Sequence, residues 1–130
     1  MVVVALVLYV ANAVVLTASF VLHMSATHAT PWPPVLVAAL VALVFVALVF
    51  GVWVGREVPR WALSRIGLGI GLAVLLGGVI GVALWFADSD TSSVVLWLAV
   101  LNLISGVLQI SGGLLLHTGG VRAWCAKAAL

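Results

Sequence analysis

Charged side chains are scarce in this sequence. Its 130 residues include five Lys or Arg and three Asp or Glu, so that 6% are charged. Soluble domains carry about 25% charged residues. Hydrophobic residues make up 66% of the chain, which leaves too few polar groups to cover a surface in water. We therefore predict an integral membrane protein whose surroundings are a lipid bilayer. The net charge of +2 and the lack of a basic run predict no nucleic-acid partner.

Cysteine is almost absent as well. The one cysteine, Cys125, excludes an internal disulfide and a metal site built from several thiolates. The sequence also lacks a nucleophile–base pair, a carboxylate pair and the spacing that is typical of metal ligands. We therefore do not expect an enzyme, and we expect no bound cofactor.

Long apolar runs fill most of the chain. Four runs each hold about 20 residues or more, enough for a helix to cross a hydrocarbon core of about 30 Å. Lipid offers no hydrogen bonds to the backbone, and the runs lack the alternation of barrel strands, so we predict helices. The fold class is therefore all-α, an integral membrane four-helix bundle that forms a single domain over residues 1–130. The predicted spans are residues 2–22, 35–54, 66–87 and 94–117.

The basic residues are distributed unevenly and predict the topology. Three lie in the middle connector and two in the C-terminal tail, whereas the other two connectors have none. The positive-inside rule then places the middle connector and both termini in the cytoplasm, with an up-down-up-down order. We expect a multi-pass plasma-membrane protein, and the Val- and Ala-rich, Lys-poor composition is typical of a prokaryote. The five residues are Arg56, Arg60, Arg65, Arg122 and Lys127.

Polar side chains are rare inside the spans, and they follow helical spacing. One face of the first span and one face of the fourth span carry them at similar depth. We favour a structural role, in which amides and hydroxyls hydrogen-bond across helices. The alternative is a site for a small ligand halfway through the membrane. The residues of this predicted seam are Tyr9, Asn12, Ser19, Asn102, Ser105 and Gln109.

The third span is rich in glycine on two faces. Small residues four apart let helix backbones approach closely, and they mark helix contacts in lipid. We therefore expect this span to be the packed centre of the bundle. One face carries Gly67, Gly71, Gly78 and Gly81, and the other carries Gly69, Ala73 and Gly77.

Three hypotheses for the function follow from these features. The first is a non-catalytic small subunit or accessory protein of a larger membrane complex, since packing features are abundant and chemical groups are few. The alternative is a small-solute or ion transporter or channel that works as a homo-oligomer, because four packed helices leave no lumen. A third is a redox subunit associated with haem or quinone near His23 or His117.

Histidines give the only metal candidates. His23 and His28 lie just beyond the first span, together with Met24, and such side chains bind copper or zinc where they converge. A haem held by two histidines of one chain is not expected, because His117 lies about a membrane thickness from His23. We favour a solvated loop without a metal.

Overall fold

Helices make up nearly all of the structure. A computed structural model describes residues 1–27, 32–88 and 90–128, and within these ranges it contains five α-helices and no strand. Four of them are long and apolar enough to cross a membrane, which confirms the predicted all-α membrane bundle. The helices are α1 (Val2–Thr27), α2 (Trp32–Trp53), α3 (Glu57–Ala87), α4 (Ser93–Leu116) and α5 (Gly119–Ala128).

Two spans are longer in the structure than the apolar pattern predicted. α1 continues to Thr27, and α3 begins at Glu57 because the basic connector is itself helical. With 31 residues, α3 is roughly 46 Å long and exceeds the hydrocarbon core. α4 begins after Ser92, whose hydroxyl accepts a hydrogen bond from the backbone N–H of Val94 at 3.3 Å.

α4, and not α3, is the centre of the bundle. It lies between α3 and α1 and packs closely against both, whereas α2 packs mainly on α3. The expectation that α3 is central is wrong, because only one of its two glycine faces meets another helix. A Cβ atom at Gly69 or at Gly77 would have no atom of the described residues within 4 Å.

α2 is attached to the bundle through one half only. Near the α2–α3 turn, Val52 is fully buried and a side chain at Gly51 would overlap the Pro59 ring. Gly55 makes this turn possible, since its φ of 80° is a conformation that other residues rarely adopt. In the far half, residues 33–44 are exposed except for Pro34 and Ala38, which are partly buried.

The charged groups separate the bundle into two ends. We call the end that carries the five Lys and Arg residues and Glu57 the basic end, and the end that carries Asp88 and Asp90 the acidic end. α5 lies across the basic end with Val121 and Cys125 buried, and burial raises the pKa of the Cys125 thiol. Met1 and Trp124 line one groove there, so the start of α1 and helix α5 lie together at the basic end.

Candidate functional site

Three predicted seam residues form a hydrogen-bonded triad between α1 and α4. The Ser105 hydroxyl donates to Oδ1 of Asn12 at 2.6 Å, and Nε2 of Gln109 donates to the Ser105 hydroxyl at 3.1 Å. All three side chains are buried. Among the described residues, no buried side-chain nitrogen or oxygen lacks a hydrogen-bond partner. The Asn12 oxygen, the Ser105 hydroxyl and the Gln109 nitrogen are therefore bonded in one chain.

Tyr9 contacts all three of the other spanning helices. Its hydroxyl donates to the carbonyl oxygen of Leu63 in α3 at 2.8 Å, and its ring centroid lies 6.1 Å from that of Phe45 in α2. The ring also packs on α4, where a Cβ at Gly112 would lie 2.8 Å from Cε2 of Tyr9. A side chain at Gly67 would overlap the hydroxyl. Tyr9 therefore joins the four spans at a single point.

Two other seam residues, Ser19 and Asn102, lie outside the triad. Both are half-buried, and neither forms a side-chain hydrogen bond with another described residue. Asn102 lies one helical turn from Ser105, toward the acidic end. The structure therefore does not bring these two side chains into the hydrogen-bonded part of the seam.

The glycines predicted for helix packing fall into two groups. Gly67, Gly71, Gly78 and Gly81 lie where a Cβ would approach Tyr9 or α4 to 3.0 Å or less. At Gly78, for instance, the added atom would lie 2.9 Å from the carbonyl oxygen of Ala99. Gly77 instead faces outward with Gly69, and it contacts nothing within the described chain. Of the two glycine faces of α3, only one therefore takes part in the close packing against α4.

A second polar cluster, at the basic end, was not expected from the sequence. Arg60 is buried, and its Nη1 donates to the carbonyl oxygen of Leu116 at 2.7 Å. Its Nε donates to Oε2 of Glu57 at 2.7 Å, and its Nη2 contacts Oε1 of the same carboxylate. A cation at the end of a helix stabilises the carbonyls that have no partner within the helix. Arg60 on α3 therefore caps α4.

Ser64 and His117 complete this cluster. The Ser64 hydroxyl donates to the carbonyl oxygen of Gly113 at 2.9 Å and contacts Nδ1 of His117. Because the hydroxyl has a single proton, we assign the proton of this second contact to Nδ1 of His117. The spacing of Arg60, Ser64, Gly67, Gly71 and Gly78 extends one face of α3, and this pattern could have revealed the cluster.

The histidines considered for a metal or haem are not brought together. His23 is exposed near the acidic end of α1, and His117 lies at the basic end of α4. His28 lies outside the described residues. Within the residues that the structure describes, no three His, Cys, Asp or Glu side chains are close enough to hold a metal ion.

Comparison of the chain with protein-family models, with characterised proteins and with solved structures gives no match.

Removing one amide of the triad is expected to weaken the contact between α1 and α4. Asn12→Leu removes the hydrogen bond that joins α1 to α4, and Gln109→Leu removes the bond within α4 that orients the Ser105 hydroxyl. We expect Asn12→Leu to lower the free energy of unfolding by about 0.6 to 2 kcal/mol, the range for polar contacts between helices in lipid, and Gln109→Leu to lower it by less. Unfolding by SDS in mixed micelles measures this difference.

Asn102→Leu is the matched control for these substitutions. It is the same chemical change as Asn12→Leu, on the same helix as Gln109→Leu, at a position outside the triad. We expect it to leave the stability unchanged or to raise it. If all three variants had the same effect, the triad would not be what joins α1 to α4.

Proposed function

We propose that this chain is a non-catalytic small subunit or accessory protein of a larger membrane complex. The observation that carries the proposal is that every buried polar side chain among the described residues already forms a hydrogen bond within the chain. The triad, Tyr9 and Arg60 all have hydrogen-bond partners in other helices or at helix ends. Groups used in this way stabilise the bundle and are not free to bind a substrate.

The outward surface of α3 supports docking of a partner helix. We call Gly69, Ala73 and Gly77 the open α3 face; all three are exposed, and they recur every four residues. A Cβ at Gly69 or Gly77 would meet no atom within 4 Å. Attraction between helices in lipid comes from packing more than from burial of apolar area, and small residues permit the closest approach. This face suits a helix of another membrane protein.

The far half of α2 offers further unoccupied surface. Its residues 33–44 are exposed on nearly all sides, so packing within the described chain does not hold this half against the bundle. A partner helix beside it would add van der Waals contacts that the chain alone does not make.

Co-purification tests the proposal. The tagged chain, extracted from its native membrane in mild detergent, is expected to carry other membrane proteins that mass spectrometry identifies. Gly77→Leu is expected to release them, because it adds bulk to the open α3 face without a clash inside the chain. Val79→Leu, an exposed position on a different face of α3, is the control and should retain them. Purification of the chain as a homo-oligomer without foreign subunits would contradict the proposal.

A second candidate function, a small-solute or ion transporter or channel made of several copies, is favoured by Asn102. This carboxamide is half-buried inside a span and has no partner among the described residues, and an unpaired amide is costly in hydrocarbon. A second copy could supply the missing hydrogen bonds. A homo-oligomer that dissociates on Asn102→Leu and conducts a solute in liposomes would favour this function.

The same preparation tests the third hypothesis, a redox subunit that binds haem or quinone near His23 or His117. A Soret band in its visible spectrum, or quinone in its organic extract, would favour this hypothesis over the other two.

A further inference from the structure

An open groove lies at the basic end, where three helices meet. It has a volume of about 1070 Å³. Its walls are the last two turns of α2 and the first turn of α3, and Ala128 of α5 closes one side. The three elements meet here because Gly55 packs against Ala128 and Gly51 packs against Pro59.

The groove combines an apolar strip with an exposed arginine. Ala47 and Phe50 of α2 and Val54 just after it are spaced by three and four residues, so the strip extends about 10 Å from the turn along α2. Arg56 and Glu57 also line the groove, and both are exposed. Among the described residues Arg56 forms no ion pair, since the carboxylate of Glu57 is held by Arg60.

The surrounding charge is also positive. The basic end carries five Lys and Arg residues and, within the described part of the chain, the carboxylate of Glu57. Because Glu57 is paired with the buried Arg60, the exposed cations at this end are Arg56, Arg65, Arg122 and Lys127. A negatively charged group that approaches the groove therefore meets a favourable field.

We propose that this groove binds one anionic phospholipid. Its headgroup phosphate pairs with the guanidinium of Arg56, and one acyl chain lies along Ala47, Phe50 and Val54. A phospholipid matches both the positive charge of Arg56 and the apolar strip. A free anion would interact with Arg56 alone. Arginine suits the headgroup because it can form two hydrogen bonds to a phosphate.

Native mass spectrometry of the purified chain with added lipid tests the proposal. We expect phosphatidylglycerol to bind more tightly than phosphatidylcholine, and Arg56→Gln to reduce this preference about fivefold, the effect of one basic residue at an anionic membrane surface. Arg65→Gln is the matched control, because it removes an equal charge from an exposed residue. The Arg65 guanidinium lies over the Trp61 ring and does not line the groove.

Two further measurements distinguish a bound phospholipid from a free anion. Ala47→Trp fills the apolar strip and is expected to lower the binding of both lipids. The thermal unfolding temperature of this variant in detergent is expected to equal that of the unsubstituted chain. Inorganic phosphate at the same concentration as the lipid is expected not to displace phosphatidylglycerol. The proposal is overturned if Arg65→Gln reduces the preference as much as Arg56→Gln, if Ala47→Trp binds lipid normally, or if phosphate alone competes.

Discussion

Replacing Tyr9 with alanine is expected to lower the free energy of unfolding by about 3–5 kcal/mol, the range for truncating a buried aromatic side chain. The loss is large because this ring packs on α2 and α4, and its hydroxyl bonds to the backbone of α3. Gly67 and Gly112 lie against the ring and have no side chain that could fill the space it leaves. Unfolding by SDS in mixed micelles, followed by circular dichroism, measures the change.

Two controls separate the packing of Tyr9 from its hydrogen bond. Tyr9→Phe keeps the ring and removes only the bond to the carbonyl of Leu63, so it is expected to cost about 0.5–1.5 kcal/mol. Val7→Ala truncates an exposed side chain of the same helix and should have little effect. A loss below about 1 kcal/mol for Tyr9→Ala would mean that this ring does not hold the four helices together.

A side chain at Gly78 is expected to separate α3 from α4. Its Cβ would lie 2.9 Å from the carbonyl oxygen of Ala99 and 2.8 Å from Cγ of Leu103, so Gly78→Val forces a shift of the backbone or of a packed leucine. We expect a loss of about 3 kcal/mol, the upper end for overpacking a close contact. The contact is central, since α3 and α4 form the most extensive interface of the bundle.

The neighbouring glycine provides the control. Gly77→Val introduces the same side chain one residue away, where nothing lies within 4 Å, and it is expected to change the stability of the isolated chain by less than about 0.5 kcal/mol. Equal losses for the two variants would show that valine weakens the helix itself, and that the approach of α3 to α4 is not the cause.

The Gly77 control also connects stability to the proposed function. A Cβ at Gly69 or Gly77 meets no atom of the described residues within 4 Å, so bulk at Gly77 should leave the fold intact. In the native membrane the same position is expected to be covered by a partner helix. A variant that folds normally and loses its co-purifying proteins would therefore separate docking from folding.

Helical spacing predicted which residues belong to the triad but not which of them pair. The sequence placed Asn12, Ser105 and Gln109 on facing surfaces at similar depth, and it placed Asn102 with them. Periodicity assigns a residue to a face and leaves the separation of the helices open along their length. Only the tertiary structure leaves Asn102 without a hydrogen bond to another described side chain.

The cap formed by Arg60 shows a second limit of sequence reasoning. The positive-inside rule counts Arg60 as a cytoplasmic charge. That rule does not depend on whether the charge is exposed or buried. Because α3 begins at Glu57, Arg60 lies on the same face as Gly67 and reaches the last carbonyl of α4. A charge assigned to a loop is thus part of the helix packing.

Composition and hydropathy by themselves determined that the chain is helical, that it enters a membrane and that it does so four times. These properties depend on the free energy of transferring side chains and backbone out of water, and this free energy is nearly a sum of contributions from single residues. Only the tertiary structure decided that α4 is central, that α2 is held by one half and that one glycine face of α3 stays open. Lipid and protein are equally apolar neighbours for a helix, so the sequence pattern of a face does not show which of them it meets.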